Sequence, residues 1–273
     1  MNYISFDFET TDNNQSEKLI ALLSEQGFEG FEETGNNLKA FIPEEAFSET
    51  AFNNTVNYIF PSLIFAKLIV ENINWNLQWE ESFKPVIIND FVAIRAGFHQ
   101  SIPTVQHEII ITPKMSFGTG HHSTTYLMLQ QMQNYDFSDK SVLDFGTGTG
   151  ILAILAEKLG AAEVLAIDND EWSITNATEN ILQNDCNNII IEQHNAIPVV
   201  QKHDIILANI NLNVITANLL SIASVCKING HLLLSGFLKN DEVIMLDSIK
   251  KVNFQYITTV ESGEWIAITA VKL

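Results

Sequence analysis

The rhythm of apolar and polar positions changes about a third of the way along the chain. Before residue 74 the runs are short and mixed. "NYISFDFE" (2–9) alternates as a strand does, and "SEKLIALLSEQGF" (16–28) places its apolar residues at helical spacing, with Ser16 as N-cap and Gly27 as stop. "FEGFEETGNNLKAFIPEE" (28–45) reads as a hairpin turning at "TGNN", "FSETAFNNTVNYIF" (47–60) as a helix, and "SLIFAKLIVENI" (62–73) as a returning strand. The order strand–helix–strand–strand–helix–strand predicts a split βαβ unit of ferredoxin-like type. In "NINWNLQWEESFKP" (72–85), Trp75, Trp79 and Phe83 recur every fourth residue, which predicts a helix with one aromatic face, closed by Pro85.

From "VIINDFVAIRAGF" (86–98) onward the pattern becomes strand, glycine turn, helix, repeated. "SVLDF", "EVLAIDND", "NIIIEQ", "HDIILANI" and "GHLLLSGF" read as strands; "ILAILAEKLGA", "EWSITNATENILQND", "NLNVITANLLSIASVC" and "KNDEVIMLDSIKKV" read as helices. Such alternation predicts a mostly parallel sheet covered on both faces. "FQYITTVES" and "EWIAITAVKL" follow each other with only a turn at Gly263 between them, so the sheet is expected to end in an antiparallel hairpin. Three parts follow: a small α+β domain (1–74), a linker helix (75–85) and an α/β domain (86–273).

Composition narrows the class. With 46% hydrophobic and 17% charged residues among 273, the chain has material for a sizeable core. The formal net charge of −19 repels phosphate backbones and anionic lipid, so neither nucleic acid nor membrane is expected as a direct partner. Residues 1–60 hold 11 acidic and 2 basic side chains, a net of −9 that would attract a basic protein. Two cysteines without metal or disulfide spacing fit a reducing compartment. "MNYISFDFETTD" lacks the basic start and apolar run of a signal peptide, and "SLIFAKLIV" is interrupted by Lys67, so a cytoplasmic location is expected.

Two glycine clusters carry the candidate chemistry. "DFGTGTG" (144–150) joins a strand to a helix, where such sheets bind ligands at their carboxyl ends. Gly146 and Gly148 permit a tight turn and close approach of a ligand, and Asp168, ending the next strand, can accept the ribose hydroxyls of an adenosine. Ile151 occupies the place of the third glycine in the dinucleotide pattern GxGxxG, which disfavours a nicotinamide oxidoreductase. Asp144 before the loop suits a ligand bearing an ammonium group, and so favours S-adenosylmethionine over a pyrophosphate. Asn209, at the end of "HDIILAN", could aim an incoming amine or merely cap the following helix. In "SFGTGHHSTT" (116–125), Ser123 or Thr124 is a natural cap for the helix "TTYLMLQQMQNY". His121 stands where a phosphate-binding loop needs lysine, adjacent histidines seldom share one ion, and the remaining histidines form no ligand pattern, so no metal is expected.

With these pieces in place the chain resembles the PrmA family, bacterial methyltransferases of large-subunit ribosomal protein eleven. "FGTGHHSTT" is similar to the family signature FGTGxHxTT; "WNLQWEESFKPVIIND", "DFGTGTGILAILAEKLGA", "AIDND", "LANI" and "EWIAI" match in order. His121, Ser123 and the GTGTG loop depart from residues often found in the family (Thr, Pro and GCGSG). The resemblance implies a Rossmann-like class I methyltransferase domain using S-adenosylmethionine, with cofactor contacts at Thr125, Gly146, Asp168 and Asn209, beside the Gly148 of the glycine loop, and a wall formed by Phe117, Gly118 and Thr119. It also implies transfer to lysine or N-terminal amines of a basic ribosomal protein held by the acidic N-terminal domain. A monomer is expected. A small-molecule N- or O-methyltransferase on the same catalytic domain is the alternative.

Overall fold

The structure, a computed structural model, describes residues 2–70, 83–113 and 120–273. The chain divides into two compact units, Met1–Ser82 and Phe83–Leu273.

In the first unit, β1 (Tyr3–Glu9), α1 (Asn13–Glu25), β2 (Gly30–Thr34), β3 (Asn37–Pro43), α2 (Glu49–Phe52, continued by a wider turn over Asn53–Asn57) and β4 (Phe65–Val70) follow the expected order. The strands pair antiparallel in the order β2-β3-β1-β4, the ferredoxin-like arrangement. The cap of α1 differs from the reading above. Asp12, in extended backbone, accepts the Gln15 N–H at 2.9 Å, while Ser16 is buried in the first turn against Thr10. Asp12 stands three residues before an amide that needs an acceptor; Ser16 already lies inside the helix. Alternation along β1 turns Ile4, Phe6 and Phe8 inward. Phe6 is the hub, with ring centroids 4.6 Å from Phe52 and 5.6 Å from Phe28.

The second unit opens with a small sheet, β5 (Val86–Ile88), β6 (Val92–Ala96) and β7 (His107–Ile111). β5 and β6 form a hairpin through Asn89 at φ +49°, and β7 runs parallel to β6. The stretch "VIINDFVAIRAGF" thus holds two strands. The Asn89–Asp90 turn splits it, because Asn tolerates the left-handed region better than most residues. The main sheet follows: α3 (Ser123–Met132), β8 (Ser141–Phe145), α4 (Ile151–Lys158), β9 (Glu163–Asp168), α5 (Glu171–Gln183), β10 (Ile189–Gln193), β11 (His203–Asn209), α6 (Leu212–Val225), β12 (Cys226–Leu238), α7 (Glu242–Lys251), β13 (Phe254–Ser262) and β14 (Trp265–Lys272).

Its strand order is β10-β9-β8-β11-β12-β14-β13, with β14 antiparallel to both neighbours. This is the Rossmann-like sheet with the expected terminal hairpin. One face packs Leu127, Met128, Ile154 and Leu155 from α3 and α4. The other packs Ile215, Ile222, Met245 and Ile249 from α6 and α7. The chain steps outward from β8 to β9 and β10, then returns to the other side of β8 as β11. That reversal opens a crevice at the carboxyl ends of β8 and β11, where ligands of open α/β sheets bind. Among the described residues no helix is long and apolar enough to cross a membrane.

Phe6→Ala empties the hub of the first unit's core and is expected to cost about 3–5 kcal/mol in urea unfolding followed by far-UV circular dichroism, whereas a loss below about 1 kcal/mol would show that the phenylalanine cluster does not hold this unit.

Candidate active site

The crevice is built first by its glycine loop. Gly146, Gly148 and Gly150 have φ of +79°, +55° and +81°, a region that penalises any Cβ. A Cβ on Gly146 would also overlap Ile210 Cγ2. The amides of Gly146 and Thr147 both donate to the Ile167 carbonyl, at 2.8 and 3.0 Å, folding the loop back onto the end of β9. Asp168 then holds the loop with its side chain. Its Oδ2 accepts the Gly148 N–H at 2.9 Å, and its Oδ1 accepts the Asp170 N–H at 3.1 Å. Asp170 in turn caps α5 by accepting the Ser173 N–H at 2.9 Å.

Beneath the loop lies Asp144, wholly buried. Its Oδ2 accepts the Thr147 hydroxyl at 2.6 Å, while its Oδ1 has no hydrogen-bond partner. Burial pushes this carboxyl up to about 7, with the Thr147 hydrogen bond opposing and the nearby Asp168 charge assisting.

Asn209 ends β11 with 7% of its surface exposed. Two uses were open for it, and its contacts separate them. Asn211, not Asn209, caps α6, accepting the Val214 N–H at 3.0 Å. The Asn209 Nδ2 donates to the Thr125 hydroxyl oxygen at 3.1 Å, and its Oδ1 is buried without a partner. Thr125, buried in the first turn of α3, therefore fixes which way the amide points: nitrogen inward, oxygen left over as an acceptor.

The cavity above these groups has a volume of about 390 Å³, and His122, Gly146, Gly148, Asp168, Asn209 and Trp265 line it. That size lies in the usual range for small-molecule sites, roughly 300–1,000 Å³. A second recess of about 260 Å³ shares Gly146, Asp168 and Ile210 with it and runs on to His194 and Asn195. Thr125 borders a smaller pocket under the loop, together with Gly148 and Asn209.

The paired histidines diverge. His121 Nε2 lies 2.8 Å from the Lys84 carbonyl. His122 is the N-cap of α3, the role expected of Ser123 or Thr124: its Nδ1 faces the Thr124 N–H at 3.3 Å and the Thr124 hydroxyl at 2.8 Å. Its ring meets Trp265 edge-on, with centroids 4.6 Å apart. Among the described residues no group of three His, Cys, Asp or Glu side chains could hold a metal ion. Phe117, Gly118 and Thr119 lie outside the described residues, as do Trp75 and Trp79 of the expected linker helix.

Sequence reasoning missed Trp265, Gly236 and Ile210 as lining residues. Gly236 has φ +99° and presses on Ile210, whose backbone carbonyl a Cβ there would strike. Trp265 reaches the cavity because β14 pairs it with Leu238 at the end of β12. Its sequence signal lay in "EWIAI", where Trp265 is the aromatic residue just after the hairpin turn.

The family model for ribosomal protein L11 methyltransferase (PrmA) matches residues 5–273. The ribosomal protein L11 methyltransferase of Chlorobaculum tepidum is 39% identical over 277 residues, covering 97% of this chain and 95% of that protein. That of Phocaeicola vulgatus is 35% identical over 276 residues, covering 98% of each. A crystal structure of the ribosomal protein L11 methylase of Lactobacillus delbrueckii subsp. bulgaricus superposes with a TM-score of 0.65 at 28% identity, over 70% of this chain and 100% of that one. Extending over both the small N-terminal unit and the class I sheet with its glycine loop, the match leaves one assignment: this chain belongs to the ribosomal protein L11 methyltransferase (PrmA) family.

Proposed function

We propose that the chain transfers methyl groups from S-adenosylmethionine to lysine side-chain or N-terminal amines of ribosomal protein L11. One observation carries the chemical part: the Asn209 amide is tied to Thr125 through its nitrogen and keeps a buried oxygen without a protein partner at the base of the cavity. A buried acceptor left unpaired costs on the order of 1–3 kcal/mol, a cost that a ligand N–H would remove. The residues fit the cofactor. Gly146 and Gly148 line the cavity without side chains, Asp168 lines it with a carboxylate suited to ribose hydroxyls, and the Thr125 hydroxyl, which accepts from Asn209, keeps a proton to donate.

Held by these residues, S-adenosylmethionine would supply an electrophilic sulfonium methyl for an amine lone pair. Only a neutral amine has that lone pair. A lysine of ordinary pKa 10.4 is about three units from neutrality at physiological pH, which costs about 4–5 kcal/mol. Desolvation in the cavity beside a sulfonium lowers that cost. Asn209 Oδ1 accepts one amine N–H and turns the lone pair toward the methyl, so the residue acts by orientation. Phe117, Gly118 and Thr119 complete the wall over the methionine part in this reading. Residues 1–74 recognise the substrate, 75–85 link the domains, and 86–273 carry the chemistry. The enzyme works as a monomer in the cytoplasm, without direct nucleic-acid or membrane contact.

The direct test of this function is incubation with S-adenosylmethionine and ribosomal protein L11, with mass spectrometry of the substrate. The function predicts mass increments of whole methyl groups on lysines or the α-amine, and an unmodified substrate would refute it. Within that assay, Asn209→Ala is expected to lose about 100-fold in turnover at saturating cofactor, and wild-type turnover would remove the orienting role.

Asp144 gives a pH prediction. An ordinary aspartate ionises near 3.9, and this one near 7, so between those values the folded chain holds a proton that the unfolded chain has lost. Stability therefore falls as pH rises across that window. A ligand carrying an α-ammonium favours the carboxylate, so cofactor affinity should rise from pH 6 to 8, by at most about tenfold per unit, and Asp144→Asn should abolish the rise. Calorimetric titration at several pH values reads both, and a flat wild-type profile would contradict the assignment.

The acidic N-terminal residues predict that binding of the basic substrate weakens between about 50 and 500 mM salt, because the Debye length contracts severalfold; equal binding at both would exclude electrostatic recognition.

A further inference from the structure

Three asparagines recur at four-residue intervals along α5 and its end: Asn176, Asn180 and Asn184. All three are buried, at 1%, 0% and 8% exposure. Burying three amides on one helical face is costly unless their polar atoms find partners, and all but Asn176 Oδ1 do. They are spent on the outer edge of β7, which has no strand partner among the described residues. The Ile110 N–H donates to Asn184 Oδ1 at 2.9 Å, and Asn184 Nδ2 donates to the Ile110 carbonyl at 2.6 Å. Two residues on, the Thr112 N–H donates to Asn180 Oδ1 at 2.8 Å, and Asn176 Nδ2 donates to the Thr112 carbonyl at 3.2 Å. The helix thus replaces a missing strand with side-chain amides.

Asn180 breaks the pattern. Its Nδ2 turns away from β7 and donates to the Thr149 carbonyl at 2.8 Å, a buried contact across 31 positions of sequence. Thr149 sits between Gly148 and Gly150, both left-handed and without side chains to anchor them. On one side the loop is held by Asp168 at the Gly148 N–H; at the next residue it is held by Asn180 at the Thr149 carbonyl. We propose that Asn180 is a positioning residue of the cofactor site: one amide ties the Thr149 carbonyl of the glycine loop to the Thr112 amide just beyond β7 and thereby sets the course of the loop that lines the cavity. Asn184 holds β7 through both of its amide atoms and makes no bond to the loop. It is the internal control, separating loop positioning from helix docking. The inference rests on the proposal that this loop carries S-adenosylmethionine.

The test compares full-length wild type with Asn180→Ala and Asn184→Ala, measuring S-adenosylmethionine affinity by calorimetry, KM and kcat in the methyl-transfer assay, and thermal stability. Both variants should be less stable. Asn180→Ala should weaken cofactor binding and raise its KM at least about fivefold, with kcat at saturation within about twofold, while Asn184→Ala leaves affinity within about twofold of wild type. Wild-type affinity in Asn180→Ala, or equal weakening in both variants in step with stability, overturns the proposal. Should Asn180→Ala not fold, Asn180→Asp keeps the acceptor for Thr112 and, once ionised, loses the donor to Thr149. Weakened affinity at pH 8 supports the proposal, and unchanged affinity overturns it. A wild-type chain that binds no S-adenosylmethionine at all would refute the functional reading instead.

Discussion

The hydrogen bond from the Gly148 N–H to the Asp168 carboxylate is the contact on which the rest of the catalytic unit is built. It joins the end of β8 to the end of β9 through a loop that only glycine can trace at low cost. The same carboxylate passes the constraint on. Its second oxygen holds the Asp170 amide, Asp170 caps α5, and α5 carries the asparagines that hold both β7 and the far side of the loop. One side chain therefore fixes a glycine turn, a helix start and, through that helix, the edge of a second sheet.

The cavity keeps two polar groups that folding alone does not reward. Asp144 is buried with one oxygen unpaired, and Asn209 is buried with its carbonyl oxygen unpaired. Apolar residues of similar size would stabilise the fold more. Rules of local consistency are broken most often where a function needs them broken. Of the six side chains with a buried unpaired polar atom among the described residues, these two sit at the carboxyl ends of β8 and β11, the two strands between which the sheet reverses direction.

The parts legible in the sequence were those governed by local chemistry. Alternation located β1, glycines at 146, 148 and 150 located the loop, and the terminal hairpin followed from two strands with only a turn between them. Helix caps were legible to within a few residues, since Asp12 and Ser16, or His122 and Ser123, compete on similar terms and only backbone geometry decides. The groups that escaped are set by pairing across long separations. Trp265 reaches the cavity through the register of β14 against β12. The asparagines of α5 look like an ordinary polar helix face until β7, about 70 positions earlier, presents its open edge to them. Asn209 and Asn211 are indistinguishable by type, and the bond to Thr125 tells them apart.

In the proposed function this cavity holds S-adenosylmethionine with its methyl directed at Asn209. A crystal structure of the chain with the cofactor or its demethylated product tests it most directly. The account predicts ribose hydroxyls on Asp168, the backbone of Gly146 and Gly148 against the ligand, and the sulfur turned toward the Asn209 amide oxygen. A ligand bound in this cavity with its sulfur remote from Asn209, or bound elsewhere on the chain, would contradict it.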